Sequence, residues 1–221
     1  MKILVTGGMG FLGSHLVEKL LKDKHQVYAL DVAENNDLLK LRDYTNYIPI
    51  IDSILNIDNV KKLIEKCDFI YHLAAVAEPE QYVKYPRKVI EINLKASLKI
   101  IDEIVGTDKK LFFASTSEIY GKNIKNSFSE NDDRLLGPTS VNRWSYSTSK
   151  AMIEHYLYAL KQESLIDFVG IRIFNAYGPR LNARVVSKFL DCAKHKKSII
   201  VHGDGSQKRC FTYISDIIDA I

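Results

Sequence analysis

The stretch VTGGMGFLGSHL (residues 5–16) joins a short apolar run, Lys2–Thr6, to a helical pattern, Phe11–Lys22. Three glycines mark the turn between them, Gly7, Gly10 and Gly13. Glycines at such a turn let the backbone approach a pyrophosphate, which then lies on the N-terminus of the helix. A glycine trio alone is a weak signal, but the strand before it and the helix after it agree with a first βαβ unit. The stretch therefore predicts a dinucleotide-binding fold.

Strand-like and helix-like segments alternate along the chain. The predicted strands are short and continuously apolar, as in a sheet covered on both faces: Lys2–Thr6, Gln26–Leu30, Tyr47–Ile51, Phe69–Ala74, Lys110–Ala114, Phe168–Ile173 and Ser198–Val201. The predicted helices are Phe11–Lys22, Val60–Lys66, Arg87–Val105, Tyr146–Glu163 and Ala183–His195. This alternation indicates right-handed crossovers and an α/β fold, with a Rossmann-type, doubly wound parallel sheet.

The chain is expected to contain two parts. We predict a dinucleotide-binding domain at 1–176 and the start of a substrate-binding lobe at 177–221, where the last helix has barely begun. The longest irregular segment, Lys122–Ser145, exceeds ordinary loop length, which indicates a functional or a mobile loop.

Composition narrows the class of protein. The 221 residues are 46% hydrophobic and can bury one sizeable core. Net charge is 31 − 27 = +4 with both signs scattered, which argues against a nucleic-acid or membrane-surface partner. The three cysteines, Cys67, Cys192 and Cys210, show neither metal-ligand spacing nor a disulfide framework. No uncharged apolar segment reaches the ~18 residues that span a bilayer. We therefore expect a metal-free protein of the reducing cytoplasm.

Two aspartates follow the second and third predicted strands. Asp31 comes eighteen residues after Gly13, the spacing of a carboxylate that binds a ribose 2′-hydroxyl. A carboxylate there repels a 2′-phosphate, and the following residues, VAENN, hold no Arg or Lys, so NAD is favoured over NADP. The alternative is that Asp31 is a solvated turn residue. Asp52 could meet the adenine, or it could cap the following helix.

A tyrosine and a lysine share one face of a predicted helix. The stretch RWSYSTSK (residues 143–150) places Tyr146 and Lys150 four residues apart. An ammonium near a phenol favours the ionised phenol and lowers the tyrosine pKa toward neutrality. Tyr146 is therefore a candidate acid/base for a carbinol oxygen. Tyrosine–lysine pairs are common on surface helices. This pair indicates a function because it occurs together with the glycine turn.

The combination of motifs resembles the extended short-chain dehydrogenases/reductases, within their nucleotide-sugar epimerase, dehydratase and decarboxylase group. The matching stretches are TGGMGFLG (6–13), Asp31, HLAA (72–75), ASTSEIYG (114–121), Tyr146-x-x-x-Lys150 and RIFNAYGPR (172–180). The resemblance covers essentially the whole chain. It implies an NAD-dependent enzyme with a nucleotide-diphosphate sugar as substrate, and a partial substrate lobe, because members are longer. It also implies a homodimer joined through the predicted helices Arg87–Val105 and Tyr146–Glu163, with Ile100, Ile104, Ile153, Leu157 and Leu160 as extra apolar positions.

The resemblance implies roles for individual residues. Cofactor contacts are implied for Gly7, Gly10, Phe11, Leu12, Gly13, Asp31, Asp52, Ser53, Leu73, Ala74, Ala75, Asn93, Ser115, Tyr146 and Lys150. Substrate contacts are implied for Glu78, Tyr82, Ser117, Asn175 and Arg209. Thr116 would hydrogen-bond the sugar O4, Tyr146 would take the O4 proton during oxidation at C4, and Lys150 would also hold the nicotinamide ribose. His72 is expected to be a buried, hydrogen-bonded strand residue rather than a catalyst.

Glu118 discriminates between the subfamilies. A 4-epimerase needs only oxidation, rotation of the ketone and reduction, and it often carries a small or neutral residue here. A 4,6-dehydratase needs a base for the C5 proton, a uronate decarboxylase forms a β-keto acid that loses CO₂, and both carry Glu. Thr-Ser-Glu resembles the decarboxylases and also the GDP-mannose-type dehydratases. The Pro-x-x-Tyr segment that ends at Tyr82 and SQKRCFTYISD (206–216) resemble the decarboxylases. Dehydratase and epimerase are the alternatives, followed by a non-catalytic NAD-binding relative. Glu118 could also be a salt-bridged loop residue.

Overall fold

Six parallel strands form one sheet in the computed structural model, which describes residues 1–181 and 184–221. The strands are β1 Lys2–Thr6, β2 Gln26–Asp31, β3 Tyr47–Ile51, β4 Phe69–His72, β5 Lys110–Thr116 and β6 Asp167–Ile173. Their order is β3-β2-β1-β4-β5-β6, and every neighbouring pair is parallel. The order reverses between β1 and β4, which opens a crevice at the carboxyl ends of these strands. The predicted Rossmann-type, doubly wound sheet is confirmed.

The strand ends differ from the prediction at two places that bear on the site. β4 ends at His72, two residues earlier than predicted, so Leu73 and Ala74 lie in a loop. β5 continues through Ser115 and Thr116, which pair with Arg172 and Ile173 of β6. The sequence predicts the end of this strand at Ala114, because the apolar run ends there. Ser115 and Thr116 are held in the strand by backbone hydrogen bonds, which leave no signal in the hydropathy of the sequence.

The helices of this part are α1 Phe11–Lys22, α2 Ile57–Lys66, α3 Pro79–Lys84, α4 Pro86–Ile90, α5 Ser97–Asp102 and α6 Ser145–Gln162. A π-helical turn, Glu91–Ala96, connects α4 to α5, where the sequence predicts one unbroken helix. Short 3₁₀ helices lie at Asn36–Asp43, Ser117–Tyr120 and Asn142–Trp144. Neither α3 nor these 3₁₀ helices were predicted, because they are too short to leave a clear helical period.

The main core fills the space between α2, α5, α6 and the sheet. It contains the five residues that the sequence assigns to a dimer interface: Ile100, Ile104, Ile153 and Leu157, each 0% exposed, and Leu160, 7% exposed. That assignment is wrong, because these side chains are consumed by packing within one chain. A helix of a doubly wound fold needs a wide apolar face to cover its own sheet.

Residues 174–221 form a second compact unit. It contains β7 Asn175–Tyr177, α7 Val185–Lys194, β8 Phe211–Tyr213 and α8 Ile214–Ala220. The first unit ends at Ile173, whereas the sequence predicts the boundary after residue 176. The difference arises because β7 pairs in parallel with β8, a contact within the second unit.

Two predictions for this unit need correction or restriction. The strand predicted at Ser198–Val201 is wrong: across the described residues it pairs with no strand, and Ile199, Ile200 and Val201 are 47%, 72% and 56% exposed. An apolar run becomes a strand only where a partner strand accepts its hydrogen bonds. The helix predicted from Ala183 begins at Val185, and Ala183 itself lies outside the described residues.

Within residues 1–181 and 184–221, no helix is both long and apolar enough to cross a bilayer. Over the same residues, no group of His, Cys, Asp or Glu side chains is arranged to hold a metal ion.

Candidate active site

The glycine turn lies at the sheet crevice and is built almost entirely from backbone. Gly7 has φ +69°, and a Cβ added to it would lie 2.8 Å from the backbone nitrogen of Ala74, in the loop after β4. A Cβ on Gly13 would lie 2.0 Å from the Gly7 carbonyl oxygen. Any side chain at these two positions would therefore separate β1, α1 and the neighbouring loop. The close approach leaves a backbone surface suited to a pyrophosphate.

The N-terminus of α1 offers donors to an anion. Gly10 is the N-cap residue, no side chain caps the helix, and its first turn carries no acidic residue. Phe11 and Leu12 begin this turn, so their backbone N–H groups belong to those that an α-helix leaves without an intrahelical acceptor. The turn thus fits the pyrophosphate of a dinucleotide.

Asp31 lies against the glycine turn, as the sequence predicts for a ribose-binding carboxylate. Its Oδ2 accepts a hydrogen bond from the backbone N–H of Met9 at 3.0 Å, and its Oδ1 accepts one from Val32 at 2.8 Å. A carboxylate has about four acceptor positions, so capacity remains for ribose hydroxyls. Asn35 makes a second contact with the glycine turn, one that the sequence does not predict. Its Nδ2 donates to the Met9 carbonyl at 2.9 Å.

Asp52 and Ser53 follow β3 beside this region. The backbone N–H of Asp52 donates to the Asp31 carbonyl at 2.9 Å. The Asp52 carboxylate accepts hydrogen bonds from the Ser53 N–H and from the side-chain amides of Asn59 and Asn56, and these lower its pKa. The alternative that Asp52 caps α2 is wrong, because Asn56 is the N-cap residue of that helix.

The loop Leu73–Ala75 is held between two buried polar residues, Thr6 before it and Asn93 after it. The Leu73 N–H donates to the Thr6 carbonyl at 3.1 Å, and the Ala74 N–H donates to Thr6 Oγ1 at 3.3 Å. Asn93, on the π-helical turn, accepts from the Val76 N–H at 2.8 Å and donates to the Val76 carbonyl at 2.9 Å. Asn93 is fully buried and directs both amide atoms at Val76, so it fixes the backbone at the end of this loop.

His72 is the buried strand histidine that the sequence predicts. Its Nδ1 lies 2.7 Å from Thr6 Oγ1 and its Nε2 lies 2.7 Å from Ser97 Oγ. Burial, and then the charge of Lys150, lowers the His72 pKa to about 3. The ring is therefore a neutral, hydrogen-bonded core residue, and this prediction is confirmed.

Lys150 projects from α6 onto the end of β5. Its Nζ donates to the Ala114 carbonyl at 2.8 Å and lies 4.6 Å from the centre of the Phe113 ring. The residue is 1% exposed, and this burial lowers its pKa to about 7, while the carboxylate of Glu154 opposes the shift. The amine therefore changes protonation state near neutral pH, a property useful to a proton-handling site.

Tyr146 begins the same face of α6 and is 7% exposed. Its ring stacks on that of Tyr82, with the ring centres 5.4 Å apart and the planes at 7°. Tyr82 lies on α3 and is 1% exposed, so the Pro-x-x-Tyr segment singled out in the sequence packs directly against the candidate acid/base. Glu78, at the N-terminus of α3, is exposed.

The stretch ASTSEIYG turns sharply after β5. Thr116 caps the 3₁₀ helix Ser117–Tyr120, and its Oγ1 accepts from the Glu118 N–H at 3.2 Å. The Glu118 carboxylate is one-third exposed, and its Oε2 accepts from Arg143 Nη2 at 2.5 Å. Glu118 is thus salt-bridged, as in the alternative interpretation of the sequence. The salt bridge nevertheless lies beside Thr116, a candidate catalytic residue.

Two arginines of this region were missed by reading the sequence. Arg143 lies in the 3₁₀ helix that precedes α6. Arg172, on β6, makes a bidentate pair with Glu154 on α6, from Nε to Oε1 and from Nη2 to Oε2. It also donates to the Tyr120 hydroxyl and the Glu130 carbonyl, each at 2.9 Å. Its pKa is raised, first by the hydrogen bonds to Glu154.

Ser115 is drawn into this network, because its hydroxyl donates to Glu154. Its side chain is therefore engaged with α6, and the cofactor contact implied for Ser115 stays a prediction. Asn175 and Arg209 belong to the second unit. There Asn175 Nδ2 donates to the Cys210 carbonyl at 2.9 Å, and Arg209 is exposed. The substrate contacts implied for these two residues stay predictions.

A backbone-built dinucleotide site, next to a strand and helix that carry threonine, tyrosine and lysine, defines a Rossmann-fold enzyme that acts on hydroxyl groups with a nicotinamide cofactor. The chain belongs to the NAD-dependent epimerase/dehydratase family, whose model matches residues 3–221. The predicted family, enzyme class and cofactor are confirmed by this match.

Individual relatives agree with the family. The UDP-N-acetyl-alpha-D-glucosaminuronate decarboxylase of Bacillus cytotoxicus is 38% identical over 99% of this chain and 69% of that protein. The bifunctional polymyxin resistance protein ArnA of Wigglesworthia glossinidia brevipalpis is 36% identical over 100% of this chain and 35% of that protein. The solved UDP-N-acetylglucosamine 4-epimerase from Methanobrevibacter ruminantium M1, in complex with UDP-N-acetylmuramic acid, has a TM-score of 0.89 at 30% identity. It is matched over 99% of this chain and 71% of its own.

Proposed function

We propose that this protein is an NAD-dependent nucleotide-sugar enzyme that works through a 4-keto intermediate, and that it decarboxylates a UDP-uronic acid. The observation that carries the proposal is the Glu118 carboxylate, held by Arg143 immediately after the strand that ends in Thr116. Epimerisation at C4 has no step for such a carboxylate, whereas chemistry at C5 or C6 does. The similarity to the decarboxylase of Bacillus cytotoxicus supports the same reaction.

The first step assigned to this chain is proton removal at the sugar O4. Bound NAD⁺ supplies the acceptor for the two electrons lost by C4. Tyr146 takes the O4 proton, and Thr116 Oγ1 donates a hydrogen bond to O4. Lys150, with a pKa of about 7, can exchange a proton with the phenol close to neutral pH. The buried ring of Tyr82 fixes the plane of Tyr146 and excludes water from one of its faces.

The second step follows from the ketone. A carboxylate β to a ketone loses CO₂ readily, because the electrons of the broken C5–C6 bond are delocalised as an enolate over C5, C4 and O4. A proton added at C5 then restores the 4-ketone, which is reduced at the end of the cycle. We assign Glu118 to this later step. In a 4,6-dehydratase the same carboxylate would instead remove the C5 proton before water leaves from C6.

Mass spectrometry of reaction products tests the proposal. The full-length protein is incubated with NAD⁺ and, separately, UDP-glucuronate, UDP-N-acetylglucosaminuronate, UDP-glucose and GDP-mannose. The expected result is loss of the mass of CO₂ from a UDP-uronate. Loss of water would assign a 4,6-dehydratase, and an unchanged mass with an altered C4 configuration would assign a 4-epimerase. Tightly retained NAD without conversion of any substrate would indicate a non-catalytic relative.

The 4-epimerase is the second candidate, favoured by the similarity to the epimerase of Methanobrevibacter ruminantium M1. A non-catalytic relative is disfavoured by the presence of Thr116, Tyr146 and Lys150 together. As a decarboxylase the protein would be a lyase that supplies an activated sugar for polysaccharide biosynthesis in the cytoplasm.

We also propose a homodimer, as the family resemblance implies. The residues first assigned to its interface are buried in the core, so the exposed apolar side chains of α6, Met152 and Tyr158, are the better candidates. Sedimentation at micromolar concentration should give twice the monomer mass, and a monomer would remove this part of the proposal.

A further inference from the structure

We propose that Arg143 is a positioning residue for Glu118, a role that rests on the proposed function for the step it serves. Arg143 lies in the 3₁₀ helix Asn142–Trp144, immediately before α6, and reaches across to the turn after β5. Its Nη2 donates to Glu118 Oε2 at 2.5 Å, a short, charge-assisted contact. Across the described residues, Glu118 Oε1 accepts no hydrogen bond. One carboxylate oxygen is therefore held while the other is left for chemistry.

The guanidinium of Arg143 is itself fixed by aromatic rings. Its central carbon lies 5.2 Å from the centre of the Tyr82 ring and 5.5 Å from that of Trp144. Tyr82 also stacks on Tyr146. A single packed unit therefore connects the tyrosine that acts during oxidation with the carboxylate that acts afterwards. A planar guanidinium suits this arrangement because it stacks and donates in the plane at once.

A second feature marks the position of Arg143 as costly. Its Nη1 is buried and has no hydrogen-bond acceptor in the described part of the chain. A donor without an acceptor costs free energy, although the Arg143 side chain as a whole is 38% exposed. In the described part of the chain, the charge-assisted hydrogen bond from Nη2 to Glu118 is the interaction that offsets this cost.

Positioning and substrate binding make different kinetic predictions. If Arg143 acts through Glu118, Arg143→Met lowers kcat by about 10- to 100-fold with little change in KM. Reduced cofactor then accumulates at 340 nm, because oxidation at C4 proceeds while the later step is slow. Arg143→Lys restores only part of the rate, since lysine keeps the charge but neither the fork nor the stacking face. If Arg143 bound the substrate directly, KM would rise instead.

A double-variant cycle decides the matter. The full-length enzyme is compared as wild type, Glu118→Gln, Arg143→Met and the double variant, with Arg87→Met as control. Arg87 is a matched control because it also pairs with a glutamate, Glu91, which lies one helical turn further along the chain. The Arg87 side chain, however, is 91% exposed. Intact NAD binding and an unchanged melting temperature establish that the variants fold. We expect the double variant to be no slower than Glu118→Gln alone, and Arg87→Met to behave as wild type.

Additive losses in the double variant, or a loss in Arg143→Met without any in Glu118→Gln, would overturn the role of Arg143. The mass of the product reports separately on the proposed function. Failure of the role of Arg143 can therefore be distinguished from failure of the proposed function.

Discussion

The two halves of the candidate active site are built in opposite ways. At the β1–α1 turn the surface for the cofactor is backbone, and the decisive atoms are the ones that glycine lacks: a Cβ on Gly7 or Gly13 would collide with backbone 2.8 Å or 2.0 Å away. At the end of β5 the surface is formed by side chains that pack on one another. There Glu118 is held by Arg143, and Tyr146 is held by Tyr82.

The contrast shows what each kind of site tolerates. The backbone half depends on a local turn, so one added methyl group can destroy it. The side-chain half depends on residues far apart in the chain, each of which can be exchanged to change one step of the chemistry. Predictions that separate the two halves follow.

The largest effect is expected in the backbone half, from Gly13→Ala. The new Cβ would lie 2.0 Å from the Gly7 carbonyl oxygen, so β1 and α1 must separate. We expect a loss of about 3 kcal/mol of folding free energy and NAD binding weakened by about 100-fold. Gly170→Ala is the control, because a Cβ added to Gly170 would lie 3.6 Å from the nearest atom outside the adjacent residues. Denaturant titration and NAD titration measure both quantities, and wild-type NAD affinity in Gly13→Ala would contradict the account of the turn.

An effect of intermediate size is expected at Lys150. Its buried amine serves the proposed chemistry but lowers the stability of the folded protein. Burial lowers the Lys150 pKa from 10.5 to about 7. Below pH 7 both the folded and unfolded chains carry the proton, and the folded state bears the full cost of a buried ammonium. Between pH 7 and 10.5 the unfolded chain binds more protons, so the wild type gains stability as pH rises.

Lys150→Met removes this linkage. Without cofactor, the variant should be more stable than wild type at pH 6, and its free energy of unfolding relative to wild type should fall by about 1 kcal/mol per pH unit between pH 7 and pH 10. Other titrating groups affect both proteins alike and cancel. Urea titrations at pH 6, 8 and 10 measure the difference in free energy of unfolding. A difference that is constant across this range would mean that Lys150 keeps its proton throughout.

The smallest effect is expected at Asp31. Asp31→Ala removes a hydroxyl acceptor and a charge that repels a 2′-phosphate, so NAD should bind about tenfold more weakly and NADP relatively better. Asp31→Asn is the matched control. It removes the charge but keeps one oxygen, which can accept from a ribose hydroxyl or from the Met9 N–H, so it should lose discrimination while binding NAD more tightly than Asp31→Ala does. An unchanged NAD/NADP preference in both variants would remove Asp31 from the cofactor site.

The same contrast explains how far the sequence could be read. The glycine spacing, Asp31 and the six strands of the sheet are local patterns, and the structure follows them closely. The residues that complete the side-chain half come from four separate segments: Tyr82 from α3, Arg143 from the 3₁₀ helix before α6, Glu154 from α6 and Arg172 from β6. Such partners are set by tertiary packing, for which one sequence carries no period or spacing.

Two errors have the same cause. The five apolar residues assigned to a dimer were judged by helical pattern, which does not say whether the apolar face meets its own sheet or another chain. The apolar run Ser198–Val201 was judged by composition, which does not say whether a neighbouring strand exists.

The central claim is that oxidation at C4 and the later step are carried by different residues, Tyr146 and Glu118. Single-turnover absorbance at 340 nm, with the UDP-uronate that the enzyme converts, tests it most directly. Glu118→Gln should bind NAD normally and accumulate NADH, because the later step slows by ~10²–10⁴ while oxidation continues. Tyr146→Phe should produce no NADH. Full turnover in Glu118→Gln, with no NADH accumulation, would contradict the claim and leave 4-epimerisation as the better description of this enzyme.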